Sequence, residues 1–210
     1  MEFLEYPKID SIYKRDEKGR FLIGEYARPE FEYLAGLDWD WTEKIDGTNI
    51  RVHWTGESVR IGGKTDRAQI PAFLDARLQQ LFPASKFKDE PQMILYGEGY
   101  GMRIQSGGHY IPDATPDNPH RVDFILFDVK INQWWLQRSG VEDIARELNI
   151  KTVPLVGSMT FAQAIEDVQA SYPSLIGFGA MEGLVGKPRI DLWDHAGRRI
   201  ITKIKTKDFR

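Results

Sequence analysis

Short strand-like runs recur along most of this chain, and they constrain its fold more than any other feature. The runs are rich in β-branched and aromatic residues and are separated by clusters of Gly, Pro or Asp, which commonly end strands. They cover residues 49–54, 58–61, 93–96, 122–129, 134–136, 183–185, 190–193 and 199–204. Because helical patterns are dispersed among these runs and do not alternate strictly with them, the sequence predicts an α+β fold with antiparallel sheets.

Three segments show the periodicity of helices that would flank such sheets. Residues 71–82 begin with proline at the predicted first helical position and place their apolar residues on one face. Residues 139–150 and 160–172 each open with a capping-box pattern, in which Ser139 precedes Glu142 and Thr160 precedes Gln163. We therefore expect three helices, and a long polar loop over residues 107–120.

Composition excludes several classes of protein. The 210 residues include no cysteine and only four histidines, which are well separated. Disulfides and cysteine nucleophiles are therefore excluded, and a histidine zinc site is disfavoured. No apolar run approaches the roughly 18–20 residues that span a membrane, and the N-terminus lacks the pattern of a signal peptide. We expect a single domain over residues 1–210, in a cytoplasmic protein that does not enter a membrane.

Positive charge is concentrated near the C-terminus. Residues 187–210 include eight Lys or Arg residues and only three Asp residues, although the whole chain has a formal net charge of −3. A basic end of this kind is typical of a surface that binds a polyanion, and equally typical of a strand edge guarded by lysines. Within it, Lys203 and Lys205 would share one strand face, where two ammonium groups repel each other unless an anion lies between them.

The segment WTEKIDGTNIRVHW, residues 41–54, places a lysine and an aspartate close together beside a glycine. On an extended strand, Lys44 and Asp46 would point to the same side. A turn at Asp46 and Gly47 would separate a short approach from the strand that follows. The sequence thus predicts a cation and an anion at the mouth of a strand pair, where they either decorate a hairpin or take part in chemistry.

Three further residues lie at glycine-rich points or near the ends of predicted strands. Glu98 lies between glycines in YGEGYG, Glu182 precedes a glycine in MEGLVGKP, and Phe127 lies near the end of the apolar run FILFDV. Glycine allows a ligand to approach the backbone, a carboxylate binds ribose hydroxyls or a metal, and an aromatic ring stacks on a purine. The structural alternatives are a bulge with an exposed glutamate and a core phenylalanine.

The order of these motifs resembles that of the covalent nucleotidyltransferases, the superfamily of polynucleotide ligases and mRNA capping enzymes. The stretches EKIDGTN, YGEGYGMRIQ, FDV, EGLVGKP and KIKTKDF are most similar to the T4 RNA ligase 2 family, and the resemblance extends from Trp41 to Phe209. It implies a nucleotidyltransferase fold, an ATP-grasp-like ligase core of antiparallel sheets with flanking helices. Because the chain ends five residues after Lys205, we expect no OB-fold or other accessory domain.

The resemblance implies that Lys44 attacks the α-phosphorus of ATP, releases pyrophosphate and retains AMP as a phosphoramidate. A lysine with the ordinary pKa of about 10.4 is almost entirely protonated at neutral pH, so such a nucleophile needs neighbouring positive charge. Lys203, Lys205 and a bound Mg²⁺ or Mn²⁺ would supply this charge and would neutralise the α-phosphate. Asp46 would orient Lys44 or hold a metal-bound water.

The resemblance also implies binding roles for four other side chains. Phe127 would stack on adenine, and Glu98 would contact the ribose. Glu182 would bind the metal or a metal-bound water. Glu43 or its backbone would read the edge of adenine.

A nucleic-acid substrate follows from the same resemblance. The adenylate would pass to a 5′-phosphate, and a neighbouring 3′-hydroxyl would then displace AMP and seal the strand. Thr48 and Asn49 resemble family positions near the phosphate and the nick. The family usually has arginine before threonine in the segment GGKTDRAQIP, but here Lys64 precedes the threonine. Either Lys64, as part of the ATP or AMP site, or Arg67, as a contact of the nucleic acid, would therefore hold the phosphate.

Several interpretations of the function stay open. The leading one is an ATP-dependent RNA ligase, and the alternatives are a DNA or mixed-substrate nick ligase and a non-catalytic nucleotide-binding sensor or scaffold. This family usually has histidine at the position of Asp46, whereas DNA ligases have aspartate there. The GTN sequence, in contrast, favours RNA. The domain would act alone, rely on a partner protein that grips the nucleic acid, or stop at self-adenylylation.

Overall fold

Strands account for most of the regular structure in residues 2–111 and 121–209, the part of the chain that the computed structural model describes. They are β1 (Asp10–Ser11), β2 (Tyr13–Arg15), β3 (Phe21–Tyr26), β4 (Trp39–Lys44), β5 (Thr48–Trp54), β6 (Val59–Gly62), β7 (Met93–Gly101), β8 (Val122–Ile131), β9 (Trp134–Trp135), β10 (Lys151–Thr152), β11 (Leu155–Met159), β12 (Gly183–Pro188) and β13 (Thr202–Lys205). The helices are α1 (Pro29–Leu34), α2 (Ala72–Leu81), α3 (Arg138–Leu148) and α4 (Phe161–Gln169). Most strand pairs are antiparallel, and the exceptions in this part of the chain are β1 with β13 and β10 with β8. The predicted α+β fold with antiparallel sheets is therefore confirmed.

The chain divides into two compact units. Unit 1 comprises Met1–Pro7 and Asp46–Val153, and unit 2 comprises Lys8–Ile45 and Pro154–Arg210. Each unit has its own hydrophobic core. A single domain over residues 1–210 stays a prediction.

Unit 1 is built on one open sheet in the order β10-β8-β7-β5-β6, with β9 beside β8. Side chains alternate between the two faces of each strand. On β5 this alternation places Ile50, Val52 and Trp54 on the face that packs against apolar residues of α2 and α3. The hydrophobic core of unit 1 thus lies between one face of the sheet and these two helices.

The opposite face of the same sheet is polar and nevertheless buried. Arg51, Tyr96 and Asp128 lie directly opposite one another on β5, β7 and β8, and all three are 0% exposed. Residues near the N-terminus cover this face, where Phe3 stacks on His53 with ring centroids 5.5 Å apart. Burial raises the pKa of Tyr96, an effect that Arg51 opposes and Asp128 reinforces.

Unit 2 is built on a sheet in the order β1-β13-β12-β4-β11, and β2 and β3 form a separate pair. Alternation along β4 places Trp39 and Trp41 in the core, where both rings pack against Phe161 at the start of α4. Leu184 of β12 and Ile204 of β13 complete the same layer. The aromatic residues of β4 thereby fix the strand that ends at Lys44.

The three predicted helices are present, but two details of how they begin are wrong. The helix predicted over residues 71–82 is α2, Ala72–Leu81, and Pro71 precedes its first residue. The capping box of α4 is present, with Thr160 and Gln163 bonded reciprocally. The capping box at Ser139 is wrong because α3 begins at Arg138, whose Nε donates to Glu142 at 2.6 Å.

Two strand predictions are also corrected. Residues 190–193 do not form a strand, and an isolated bridge joins Trp193 to Arg199. The predicted strand pair on either side of Asp46 is wrong, since β4 pairs with β11 and β12 whereas β5 pairs with β6 and β7. Local alternation is set by the backbone, but pairing partners depend on distant residues.

The predicted polar loop begins with a 3-10 turn at Gly107–Tyr110, and residues 112–120 lie outside the described residues. The helices in residues 2–111 and 121–209 all fall short of the length and apolar character that a membrane span requires.

Candidate active site

Three candidate residues of unit 2 meet where neighbouring strands end. Lys44 is the last residue of β4, Lys205 is the last residue of β13, and both lie opposite Gly183 at the start of β12. Glu182 precedes that glycine and reaches both lysines. Lys44 Nζ donates to one carboxylate oxygen at 2.7 Å, and Lys205 Nζ donates to the other at 2.6 Å.

This triad carries more positive than negative charge. Two ammonium groups share one carboxylate, and the side chains of Lys44 and Lys205 are each 22% exposed. A phosphate that approaches the triad would therefore meet an excess of positive charge in a half-buried place, where charge–charge interactions are stronger than in bulk water. The arrangement fits binding of a polyphosphate.

Lys203 and Lys205 share a face of β13, as predicted. Both side chains are half-buried, whereas Thr202 and Ile204 between and beside them point into the protein. The carboxylate that relieves charge repulsion at Lys205 comes from Glu182 and bridges it to Lys44. The predicted anion between Lys203 and Lys205 stays a prediction, since the carboxylate of Glu182 bridges Lys205 to Lys44.

Glu43 is used within unit 2. Its side chain is buried, and its carboxylate accepts hydrogen bonds from Ser174 Oγ at 2.6 Å and from the backbone N–H of Leu175 at 2.8 Å. Its own backbone N–H donates to the carbonyl of Pro154 at 3.0 Å. These contacts make Glu43 an anchor for the segment around Ser174, and a role in reading adenine stays a prediction.

In unit 1, the candidate residues Asn49 and Glu98 lie directly opposite each other on β5 and β7. The buried Oδ1 of Asn49 has no hydrogen-bond partner among the described residues. A buried acceptor without a donor is costly in the absence of a ligand. Gly47 permits this close approach of the strands, because a Cβ there would lie 2.4 Å from the carbonyl oxygen of Gly99.

Asp46 is held by the turn that follows β7. Its carboxylate accepts a hydrogen bond from the N–H of Ser106 at 3.2 Å, and its own N–H donates to the hydroxyl of Tyr110 at 3.1 Å. Within residues 2–111 and 121–209, no group of three or more Asp, Glu, His or Cys side chains is arranged to hold a metal. Metal binding by Asp46 and Glu182 stays a prediction.

Phe127 is the extra residue of a β-bulge. Tyr96 pairs with Asp128 and Gly97 pairs with Leu126, so the register of β7 and β8 shifts at Phe127. Its ring is half-buried and lies outside the hydrophobic core of unit 1. Phe127 is therefore not a core phenylalanine of unit 1, and its stacking on adenine stays a prediction.

Lys64 and Arg67 are exposed on the loop between β6 and α2. Arg51, which sequence reasoning missed, holds this loop from beneath. Its Nε donates to the carbonyl of Gly63 at 2.7 Å, and one terminal nitrogen pairs with Asp66 at 2.8 Å. An arginine within a strand was the available signal, but its burial was not evident from the sequence.

Thr48 begins β5 opposite Gly99 and is half-buried. Together with Asn49 and Glu98, it lies at the end of the unit 1 sheet next to Gly47. The structure thus groups Thr48, Asn49 and Glu98 within unit 1, and Lys44, Glu182 and Lys205 within unit 2.

Comparisons with known proteins agree with this fold. A model of a protein family described as RNA ligase matches residues 38–205. A ligand-free point mutant of the Naegleria gruberi RNA ligase has a TM-score of 0.65 and 21% identity, over 99% of this chain and 59% of that structure's chain. The same ligase with PPi gives 0.65 and 20% over 97% and 62%, and a point mutant with ATP and Mn gives 0.68 and 19% over 97% and 56%.

The present chain therefore spans 56–62% of the length of these solved structures. At such identities the likeness concerns the fold, and it confirms the predicted nucleotidyltransferase fold. A search of curated proteins finds no match to this chain.

Proposed function

Because the chain belongs to the RNA ligase family, we propose that it uses ATP to join 3′-hydroxyl and 5′-phosphate ends of RNA through a covalent lysyl-AMP intermediate on Lys44. The observation that carries this proposal is the triad of Lys44, Glu182 and Lys205, with contacts of 2.7 Å and 2.6 Å. In this triad one carboxylate pairs with two cations, where β4 and β13 end and β12 begins. A surface lysine without a function does not require such an arrangement.

In the first step, Lys44 Nζ forms a P–N bond to the α-phosphorus of ATP, and the bond to pyrophosphate breaks. Lys44 must first lose a proton, because only the neutral amine has the lone pair that attacks phosphorus. Lys203 and Lys205 then offset the negative charge that develops on the α-phosphate. The excess positive charge of the triad supports these roles.

A divalent cation, Mg²⁺ or Mn²⁺, would neutralise phosphate charge when it is bound. Magnesium often binds through one or two carboxylates together with substrate phosphates and water. The single carboxylate of Glu182 in unit 2 fits that habit, and Asp46 is the second candidate. A point mutant of the Naegleria gruberi RNA ligase was solved with ATP and Mn, which supports the use of a divalent cation here.

In the second and third steps, AMP moves from Lys44 to a 5′-phosphate, and a 3′-hydroxyl attacks that phosphate and expels AMP. We propose that Phe127 stacks on adenine, Glu98 contacts the ribose, and Thr48 and Asn49 contact the nucleic acid. The half-buried bulge position of Phe127 and the unpartnered Oδ1 of Asn49 support these assignments.

The two exposed cations of the β6–α2 loop suit phosphate groups. We propose that Lys64 binds a phosphate of ATP or AMP, or that Arg67 binds a phosphate of the RNA, since Arg51 fixes the loop that presents both side chains. A cytoplasmic location, and a partner protein that adds grip on the RNA, belong to the same proposal.

The test is covalent labelling. Protein stripped with pyrophosphate is incubated with Mg²⁺ and ATP labelled at the α-phosphate and then separated on a denaturing gel. Label should remain on the wild type and on Lys88→Ala, an exposed lysine variant, and should be absent from Lys44→Ala. An unlabelled wild type would refute the enzyme and leave a nucleotide-binding sensor.

A second candidate function is nick sealing in DNA, which Asp46 in the nucleophile motif favours. The 2′-hydroxyl distinguishes the two nucleic acids. Nicked duplexes with either ribose or deoxyribose on the 3′-hydroxyl side separate the alternatives, and we expect sealing to be faster with ribose.

A further inference from the structure

The segment of residues 3–6 is attached across three strands of the unit 1 sheet. Arg51 on β5 donates to the carbonyl of Phe3 at 3.0 Å, and the hydroxyl of Tyr96 on β7 donates to the carbonyl of Leu4 at 3.2 Å. The hydroxyl of Tyr6 donates to a carboxylate oxygen of Asp128 on β8 at 2.8 Å. The segment is therefore a fixed part of the polar face of this sheet.

Tyr6 is the point at which this segment meets the aromatic side chains of unit 1. Its ring lies 5.1 Å from the ring of Tyr96 and 5.7 Å from that of Trp135, between centroids. It also meets the ring of Phe127 edge to face, at 5.0 Å and 77°. Edge-to-face contacts of this kind are a favoured geometry for aromatic pairs.

This contact matters because Phe127 is a bulge residue. A side chain in regular alternation faces its cross-strand neighbours, but Phe127 lies where the register of β7 and β8 shifts, between Asp128 opposite Tyr96 and Leu126 opposite Gly97. The next residue, Asp128, is fully buried and accepts the hydroxyl of Tyr6. Tyr6 thus contacts both the ring of the bulge residue and the residue that follows it.

We propose that Tyr6 is a positioning residue that sets the ring of Phe127 for stacking on adenine. This inference rests on the proposed role of Phe127 in nucleotide binding. Without the ring of Tyr6, Phe127 would sample orientations that do not stack on the base. ATP binding would weaken, whereas binding of pyrophosphate, which has no base, would not change.

The experiment measures ATP and pyrophosphate binding by calorimetry in the Lys44→Ala background, where no covalent step can occur. Tyr6→Ala should raise the Kd for ATP about 10-fold, which corresponds to the loss of roughly one aromatic contact. It should leave the Kd for pyrophosphate unchanged. Tyr6→Phe, which keeps the ring and loses the hydroxyl, should lie between Tyr6→Ala and the parent. Tyr33→Ala is the matched control because Tyr33 is 88% exposed.

Two outcomes would overturn the inference. The first is an unchanged Kd for ATP in Tyr6→Ala. The second is an equal rise in the Kd for ATP and for pyrophosphate, which would mean that Tyr6 supports the fold in general. The proposed ligase can fail separately from this inference. If the Lys44→Ala protein binds ATP but the wild type forms no lysyl-AMP, the ligase is refuted. The Kd values of Tyr6→Ala for ATP and pyrophosphate then still decide the positioning role.

Discussion

The two units of this protein hold their candidate site residues in different ways. In unit 2, Lys44, Glu182 and Lys205 are held by ion pairs to one another at 2.6–2.7 Å. In unit 1, Glu98 and Phe127 are placed by the backbone, through tight glycine packing and a bulge. Unit 2 should therefore respond mainly to changes of charge, and unit 1 mainly to changes of shape.

The largest expected effect follows from removing one charge in unit 2. Lys205→Ala would leave Glu182 paired with Lys44 alone and would remove a cation that offsets charge on the α-phosphate. Loss of one such preorganised group commonly costs about 10²–10³-fold in rate, and we expect that loss in single-turnover formation of lysyl-AMP. Lys207→Ala, at an exposed position two residues further on, should keep the wild-type rate.

A rate for Lys205→Ala within a few-fold of the wild type would contradict the expected sensitivity of unit 2 to charge. The ion pair with Glu182 would then be a surface contact of small consequence, as many exposed pairs are.

The next effect tests shape in unit 1. Gly97→Ala would place a Cβ 2.1 Å from a ring carbon of Phe124 and 2.5 Å from the carbonyl oxygen of Ile125. Because β7 and β8 cannot move apart freely, we expect a loss of about 1–3 kcal/mol in the free energy of unfolding, the usual cost of overpacking. The measurement is the midpoint of denaturant unfolding.

Gly108→Ala is the matched control for this change, since the nearest atom to its new Cβ is 3.8 Å away. Equal midpoints for Gly97→Ala and Gly108→Ala would show that the sheet of unit 1 adapts its shape easily. The distinction between the two units would then fail on the side of unit 1.

The same distinction explains which features the sequence predicts. Alternation along β13 places Lys203 and Lys205 on one face, and the spacing of Thr160 and Gln163 produces the cap of α4. These features depend on neighbouring residues and on backbone geometry alone. Local geometry of this kind can be predicted because few other residues affect it.

Other features depend on residues far apart in the sequence. The ion pair of Lys44 with Glu182 joins positions 138 residues apart. The strand that ends at Lys44, β4, and the next strand, β5, belong to different sheets. The buried polar face of Arg51, Tyr96 and Asp128 is equally nonlocal. The resemblance of motifs predicts candidate site residues, but it does not supply these contacts.

The smallest expected effect concerns charge within unit 1, and it tests whether that unit is insensitive to charge. His53 is buried against Phe3, and neither ring nitrogen has a hydrogen-bond partner among the described residues. Burial lowers the pKa of His53, and the nearby charge of Arg60 lowers it further.

The sign of the pH dependence follows from that shift. The unfolded chain binds a proton at His53 with a pKa of about 6.5, whereas the folded chain binds it only at lower pH. The stability that neutral His53 contributes is therefore fully present above about pH 6.5. It is lost as the pH falls from there towards the folded pKa.

His53→Phe keeps a flat ring against Phe3 and should flatten this part of the stability curve, measured by denaturant unfolding at a series of pH values. His195→Phe, at an exposed position, should retain the wild-type slope, and an unchanged slope in His53→Phe would mean that other groups control the acid response of unit 1.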